Sequence, residues 1–111
     1  MQHSKTRESQ LLECAEKYCL LFLEEYSKGK YFLRTGEHYQ ATKSMIMARH
    51  WLDMHGNMVN MLNGKTKVYH GISGMTKAKE MISKIELDCG PEEAEALRQD
   101  MYQQMLVLSA Q

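Results

Sequence analysis

The chain has 111 residues, of which 43% are hydrophobic and 25% charged, and its formal net charge at pH 7 is zero. This length predicts one domain, residues 1–111, built around a single core, and the composition argues against wholesale disorder. The polar N-terminus, the lack of a run of roughly 20 apolar residues and three cysteines without C-x-x-C spacing indicate a cytoplasmic protein with no membrane span.

The first predicted helix covers residues 5–27, where apolar residues recur at three- and four-residue steps. Lys28-Gly29-Lys30 is interpreted as its end, because glycine favours the left-handed cap position. Residues 31–34 are too few to separate a packed linker from a helical turn or an edge strand. The inward face is expected to carry Leu11, Ala15, Tyr18, Phe22 and Tyr26.

The second predicted helix runs over residues 36–62, with Thr35 as its N-cap. Its apolar residues form two adjacent stripes that together cover more than half of the circumference. A surface helix usually has a narrower apolar arc, so we expect this one to be the central helix, contacted from two sides either by two helices of its own chain or by one helix and a partner. The inner stripe is Met45, Ala48, Leu52, His55, Val59 and Leu62, and the second stripe is Met47, Trp51, Met54, Met58 and Met61.

A competing interpretation places a β-hairpin over residues 58–70. Asn63-Gly64 is a common hairpin turn sequence, and it would make the fold α+β. The helix is preferred because Met58 and Met61 continue the second stripe, whereas strict alternation is poor on both arms. In the helical interpretation, Gly64 is the C-cap.

Two further helices are predicted, over residues 75–87 and 91–109. Residues 65–75 read as an ordered connection long enough to be a binding loop. Pro91 fits the first position of the last helix, which makes residues 88–93 the clearest boundary in the chain. Leu106 and Val107 fall off the apolar stripe of that helix, so either its end frays or it has a second contact. The stripe is Ala94, Leu97, Met101, Met105 and Leu108. The fold prediction is therefore an all-α bundle of about four helices.

The sequence contains no recognisable catalytic or cofactor pattern. Its Ser, Cys, His and Asp residues fall into no nucleophile–base arrangement. Met47, His50 and Met54 could be combined into a soft-metal site, but methionines at helical spacing more often fill a core. We therefore expect no enzymatic activity, no metal, no cofactor and no small-molecule substrate.

Charge is unevenly distributed: residues 1–27 carry −2, residues 28–84 carry +7 and residues 85–111 carry −5. The pattern suits acidic and basic helices that face each other within one bundle. It also allows an alternative function, a nucleic-acid-binding regulator, because basic residues with interleaved aromatics can follow a phosphate backbone. The residues proposed for that alternative are Lys28, Lys30, Arg34, Lys43, Lys65, Lys67 and Lys77.

The preferred function is a protein–protein interaction module: a small helical adaptor, regulator or inhibitor that forms a homodimer or a complex with another protein. Methionine-rich helix faces adapt to partners, and two of the predicted helices have apolar arcs wider than one neighbouring helix covers. The predicted interface residues are Trp51, Met54, Met58 and Met61, with Leu106 and Val107 as an extension.

Overall fold

The computed structural model of the protein describes residues 6–62 and 76–109. Within these ranges the chain forms four α-helices and no strand, which confirms the predicted all-α bundle. In chain order the helices are α1 (Arg7–Arg34), α2 (His38–Leu62), α3 (Thr76–Cys89) and α4 (Pro91–Ser109).

The end of α1 differs from the prediction. The helix continues past Lys28-Gly29-Lys30 to Arg34, so residues 31–34 are its last turn. It stops where the amide of Glu37 donates to the carbonyl of Phe32 at 2.8 Å and Gly36 adopts a φ of +82°. These features define a glycine cap on the C-terminus of the helix. Thr35, predicted as the N-cap of α2, belongs to this turn and donates its hydroxyl to the carbonyl of Tyr31 at 3.1 Å.

Gly29 remains helical because it is a contact point between α1 and α2. It is buried, and a Cβ atom at this position would lie 2.7 Å from Cε of Met45. Ala41 on α2 is also buried. Gly29 on α1 and Ala41 on α2 therefore allow a close approach near the α1–α2 turn.

The central helix of the described structure is α1. It packs against α2 along one side, and it also contacts both α3 and α4. The prediction that α2 occupies the centre is wrong, because in the described ranges α2 packs mainly on α1. The main core joins all four helices; its buried members are Cys19, Phe22, Leu23, Ala48, Ala78, Ile85, Ala94, Leu97, Met101, Met105 and Leu108.

A single residue, Gly90, separates α3 from α4. Its amide hydrogen bonds to the carbonyls of Ile85 and Glu86, and its φ of +105° lies in the region that favours glycine. Pro91 is the first residue of α4, as predicted from its missing amide hydrogen. The predicted boundary between these two helices is therefore confirmed.

The structure describes only some of the residues that distinguish the helical interpretation from the hairpin interpretation. Met58 to Leu62 belong to α2, so the first arm of the alternative hairpin is helical and not a strand. The second arm, the Asn63-Gly64 turn and the connection over residues 65–75 lie outside the described residues.

Candidate functional site

The inner stripe of α2 faces the protein core, as the sequence indicates. Ala48, His55 and Leu62 are at most 3% exposed, and Leu52 packs against the main core from a half-buried position. Near the far end of the helix, Leu62 forms a second small cluster with Ala15 of α1. The inner stripe therefore accounts for the attachment of α2 to α1.

The second stripe of α2 lies beside half-buried residues of α1. Tyr18 stacks on Trp51, and Phe32 borders a groove between the two helices together with Met47. The same groove also contains Glu25, Lys28 and Lys43. We call the combined surface the methionine face; its members are Tyr18, Phe32, Met47, Trp51, Met54, Met58 and Met61.

Trp51 anchors this face to the core. Its ring stacks on Tyr18, with centroids 5.7 Å apart and an interplanar angle of 15°. The neighbouring imidazole of His50 lies 4.7 Å from the indole, in a tilted arrangement. Trp51 is half-buried and packs against the main core cluster. Trp51 is therefore covered in large part by its own chain and keeps part of its surface accessible.

The methionines of the face are exposed to different degrees. Met54 and Met58 are half-buried, and Met58 packs against the small cluster around Ala15. Met47 and Met61, at the two ends of the stripe, are 41% and 51% exposed. Because α2 packs mainly on α1, this flank receives little cover from the other described helices.

The predicted extension through Leu106 and Val107 lies on α4, whereas the other predicted interface residues lie on α2. Both side chains are more than half exposed, at 51% and 57%. The helix that carries them packs with α3 and against α1.

A second apolar groove was missed by the sequence analysis. It has a volume of about 340 Å³ and lies between the end of α1 and the first half of α2. Ile46, which belongs to neither stripe, is 63% exposed there, and Leu33 is 46% exposed. The isolated position of Ile46 on the helical wheel was the available signal. Arg49 borders this groove and pairs with Asp53 at 3.3 Å.

Several basic residues proposed for nucleic-acid binding face acidic residues of the bundle. Arg34 Nε lies 2.6 Å from Oε2 of Glu93, and Lys30 Nζ lies 3.7 Å from Oδ2 of Asp100. These pairs join the basic end of α1 to the acidic α4. The segregation of charge along the sequence thus produces ion pairs between helices of one chain.

The other basic candidates have local partners. Lys28 pairs with Glu25 at 3.1 Å and Lys77 with Glu80 at 3.5 Å, each three positions apart on one helix. The ammonium of Lys43 lies 5.4 Å from the ring centroid of Tyr39. Lys65 and Lys67 lie outside the described residues. The described candidates are thus distributed over three helices.

Two ionisable side chains, Cys19 and His55, are buried in the described part of the chain. Burial raises the pKa of the Cys19 thiol to about 12, with a smaller contribution from Glu16, so this thiol is protonated and weakly nucleophilic at neutral pH. Burial also lowers the pKa of His55, which favours the neutral imidazole. Neither side chain belongs to an arrangement of described residues that is suited to catalysis.

Within residues 6–62 and 76–109, no group of three or more His, Cys, Asp or Glu side chains could hold a metal ion. None of the helices in these ranges is long and apolar enough to cross a membrane. No family model, no curated protein and no solved structure matches the chain.

Proposed function

We propose that the protein is a non-enzymatic interaction module that self-associates through the methionine face. The observation that carries the proposal is the exposure of Met47 and Met61 at the two ends of one stripe on α2. Apolar side chains in this arrangement gain free energy when a second surface removes them from water. Half-buried Trp51 supplies the kind of aromatic anchor that interfaces favour.

The dimensions of the face favour a second copy as the partner. At 1.5 Å per residue, the 25 residues of α2 extend over about 38 Å. Two adjacent helices, each about 10 Å wide, offer roughly 760 Å² over that length. A standard stable interface buries about 800 Å² on each partner. Full use of the α1–α2 face therefore suffices for a two-fold symmetric dimer, in which each copy offers the same patch.

The proposed location is a reducing, intracellular compartment. The three cysteines, Cys14, Cys19 and Cys89, are all free thiols in the structure. Small proteins of oxidising compartments more often use their cysteines in disulfides.

The proposal is tested by sedimentation velocity over a wide range of protein concentrations, with two matched variants. Met61→Lys places a charge on the methionine face, and Asn60→Lys places the same charge on an exposed residue about 100° around the helix. We expect the wild type and Asn60→Lys to associate and Met61→Lys to remain monomeric. Circular dichroism serves to show that both variants keep the helical fold.

Two results would overturn the proposal. One is a wild-type mass that stays monomeric at every concentration. The other is equal association of Met61→Lys and Asn60→Lys, which would show that the dimer forms through a different surface.

A further inference from the structure

The described methionines differ widely in exposure, and three of them, Met45, Met54 and Met58, are half-buried. In the described ranges, the core contains Met81, Met101 and Met105, which are at most 5% exposed. The exposed methionines in the same ranges are Met47 and Met61, both on the second stripe of α2. A reagent dissolved in water therefore reaches the thioethers of the methionine face without unfolding the core.

We propose that Met47 and Met61 form a modification site for peroxides, and that their oxidation to sulfoxide prevents self-association. The consequence for association rests on the proposed function above. The chemical class of the reagent is a hydroperoxide, with hydrogen peroxide as the simplest example.

The reaction is an oxygen-atom transfer. A lone pair of the thioether sulfur attacks one peroxide oxygen, the O–O bond breaks and an S–O bond forms. Sulfur loses two electrons, and the displaced hydroxide takes the proton of the transferred oxygen and leaves as water. The product side chain is polar and chiral, whereas the original thioether is apolar and flexible.

The position of the two residues explains why this change affects association more than folding. Met47 and Met61 are about half exposed, so their sulfoxides remain hydrated in the free protomer. In a dimer formed through the methionine face, the same oxygens would be removed from water, which is unfavourable without a hydrogen-bond donor. Oxidation therefore weakens the associated state and leaves the helical bundle intact.

Cys14 and Cys89 are half-buried thiols that peroxide can also oxidise. Excess dithiothreitol after the peroxide step reverses disulfides and sulfenic acids but leaves methionine sulfoxide in place. Peptide mass spectrometry then assigns each added oxygen to its methionine. The oxidation is carried out at low protein concentration, where the protomers are free.

The experiment compares the dissociation constant of the dimer before and after peroxide for three proteins, each relative to its own untreated sample. Among the described methionines of the wild type, we expect sulfoxide first at Met47 and Met61, and we expect a dissociation constant about tenfold higher or more. For the double variant Met47→Leu/Met61→Leu, we expect the dissociation constant after peroxide treatment to be close to that of the untreated sample. The core variant Met101→Leu is expected to keep the wild-type sensitivity.

The outcomes separate the two proposals. A wild-type protein that never associates overturns the proposed function and, with it, the effect on association. A dimer that persists after both sulfoxides have formed overturns the inference alone. Equal sensitivity of the wild type and the double variant, or oxidation of Met101 as fast as Met61, also overturns the inference.

Discussion

The phenolic hydroxyl of Tyr26 donates a 2.8 Å hydrogen bond to Oδ2 of Asp100, which connects α1 to α4 across 74 positions of sequence. Lys30 approaches the same carboxylate at 3.7 Å. Burial and the hydrogen bond to Asp100 raise the pKa of Tyr26 to about 12, so the hydroxyl keeps its proton and acts as the donor at neutral pH. The contact is partly buried, which makes it stronger than the ion pairs on the surface.

Removal of this hydroxyl should destabilise the bundle. We expect Tyr26→Phe to lower the free energy of unfolding by about 1 kcal/mol, because Asp100 loses a hydrogen-bond donor. The measurement is urea unfolding followed by circular dichroism, within a double-mutant cycle with Asp100→Ala. Tyr31→Phe is the control; it removes an exposed hydrogen bond to Asp88 and should change stability by less than about 0.5 kcal/mol. If the effects of Tyr26→Phe and Asp100→Ala on the free energy of unfolding are additive, the two side chains are not energetically coupled.

Trp51 should contribute to stability in the monomer as well as to association. Trp51→Ala removes the stacking partner of Tyr18 and part of the packing on the core, so we expect a loss of about 2 kcal/mol. Trp51→Phe keeps an aromatic ring and should lose about half as much. Thermal unfolding of dilute protein, followed by circular dichroism, gives both values. The control is Tyr39→Ala on the same helix, since Tyr39 is 74% exposed. If Trp51→Ala leaves the stability of the monomer unchanged, the Trp51 ring contributes only to association with the partner.

The buried His55 predicts a loss of stability in mild acid. Its pKa in the folded protein lies below the ordinary value of 6.5, so near and below that pH the unfolded chain binds a proton that the folded protein does not. The free energy of unfolding should therefore be highest above pH 6.5 and fall as the pH decreases towards the folded pKa. Urea titrations between about pH 7.5 and 5.5 measure this slope.

Two variants test whether His55 causes the acid dependence. His55→Leu should flatten the slope, because it removes the proton-binding group from the core. His38→Leu changes an exposed histidine in the first turn of α2 and should keep the wild-type slope. If His55→Leu keeps the full slope of unfolding free energy against pH, groups other than His55 cause the acid sensitivity.

Alanine substitution at two glycines should change the stability of the protein in opposite directions. Gly56 lies inside α2, and the space around its missing Cβ is open, so Gly56→Ala should stabilise the protein by about 0.5–1 kcal/mol. Gly90 has a φ of +105°, so Gly90→Ala should destabilise it by about 1 kcal/mol or more. Differential scanning calorimetry of both variants measures the two shifts. A lower melting temperature for Gly56→Ala would show that this glycine has a contact role.

Much of the helical fold follows from local pattern. The stripe of α4, from Ala94 to Leu108, was predicted correctly because its apolar residues recur at three- and four-residue steps and point to one neighbour. The α3–α4 boundary was also predicted correctly, since Gly90-Pro91 combines a left-handed turn with a helix start.

The errors concern tertiary contacts that a single helix does not encode. Gly29 and Gly36 both resemble helix ends in sequence, and the close approach of Met45 explains why Gly29 stays helical. The wide apolar arc of α2 indicated two neighbours, but an arc does not distinguish a neighbour in the same chain from a partner. The stacking of Tyr18 on Trp51 depends on the α1–α2 register, which helical periodicity leaves open.

The glycine cap at Gly36 also has a consequence for the order of folding. It turns the chain so that α2 returns along α1, and the contacts at this end, such as Gly29 with Met45, join residues close in sequence. Contacts of short sequence separation form faster than distant ones. The α3–α4 hairpin, which is closed by Gly90 alone, is at least as local. We therefore expect both hairpins to assemble before they dock on each other, so the Tyr26–Asp100 hydrogen bond between them is among the last native interactions to form.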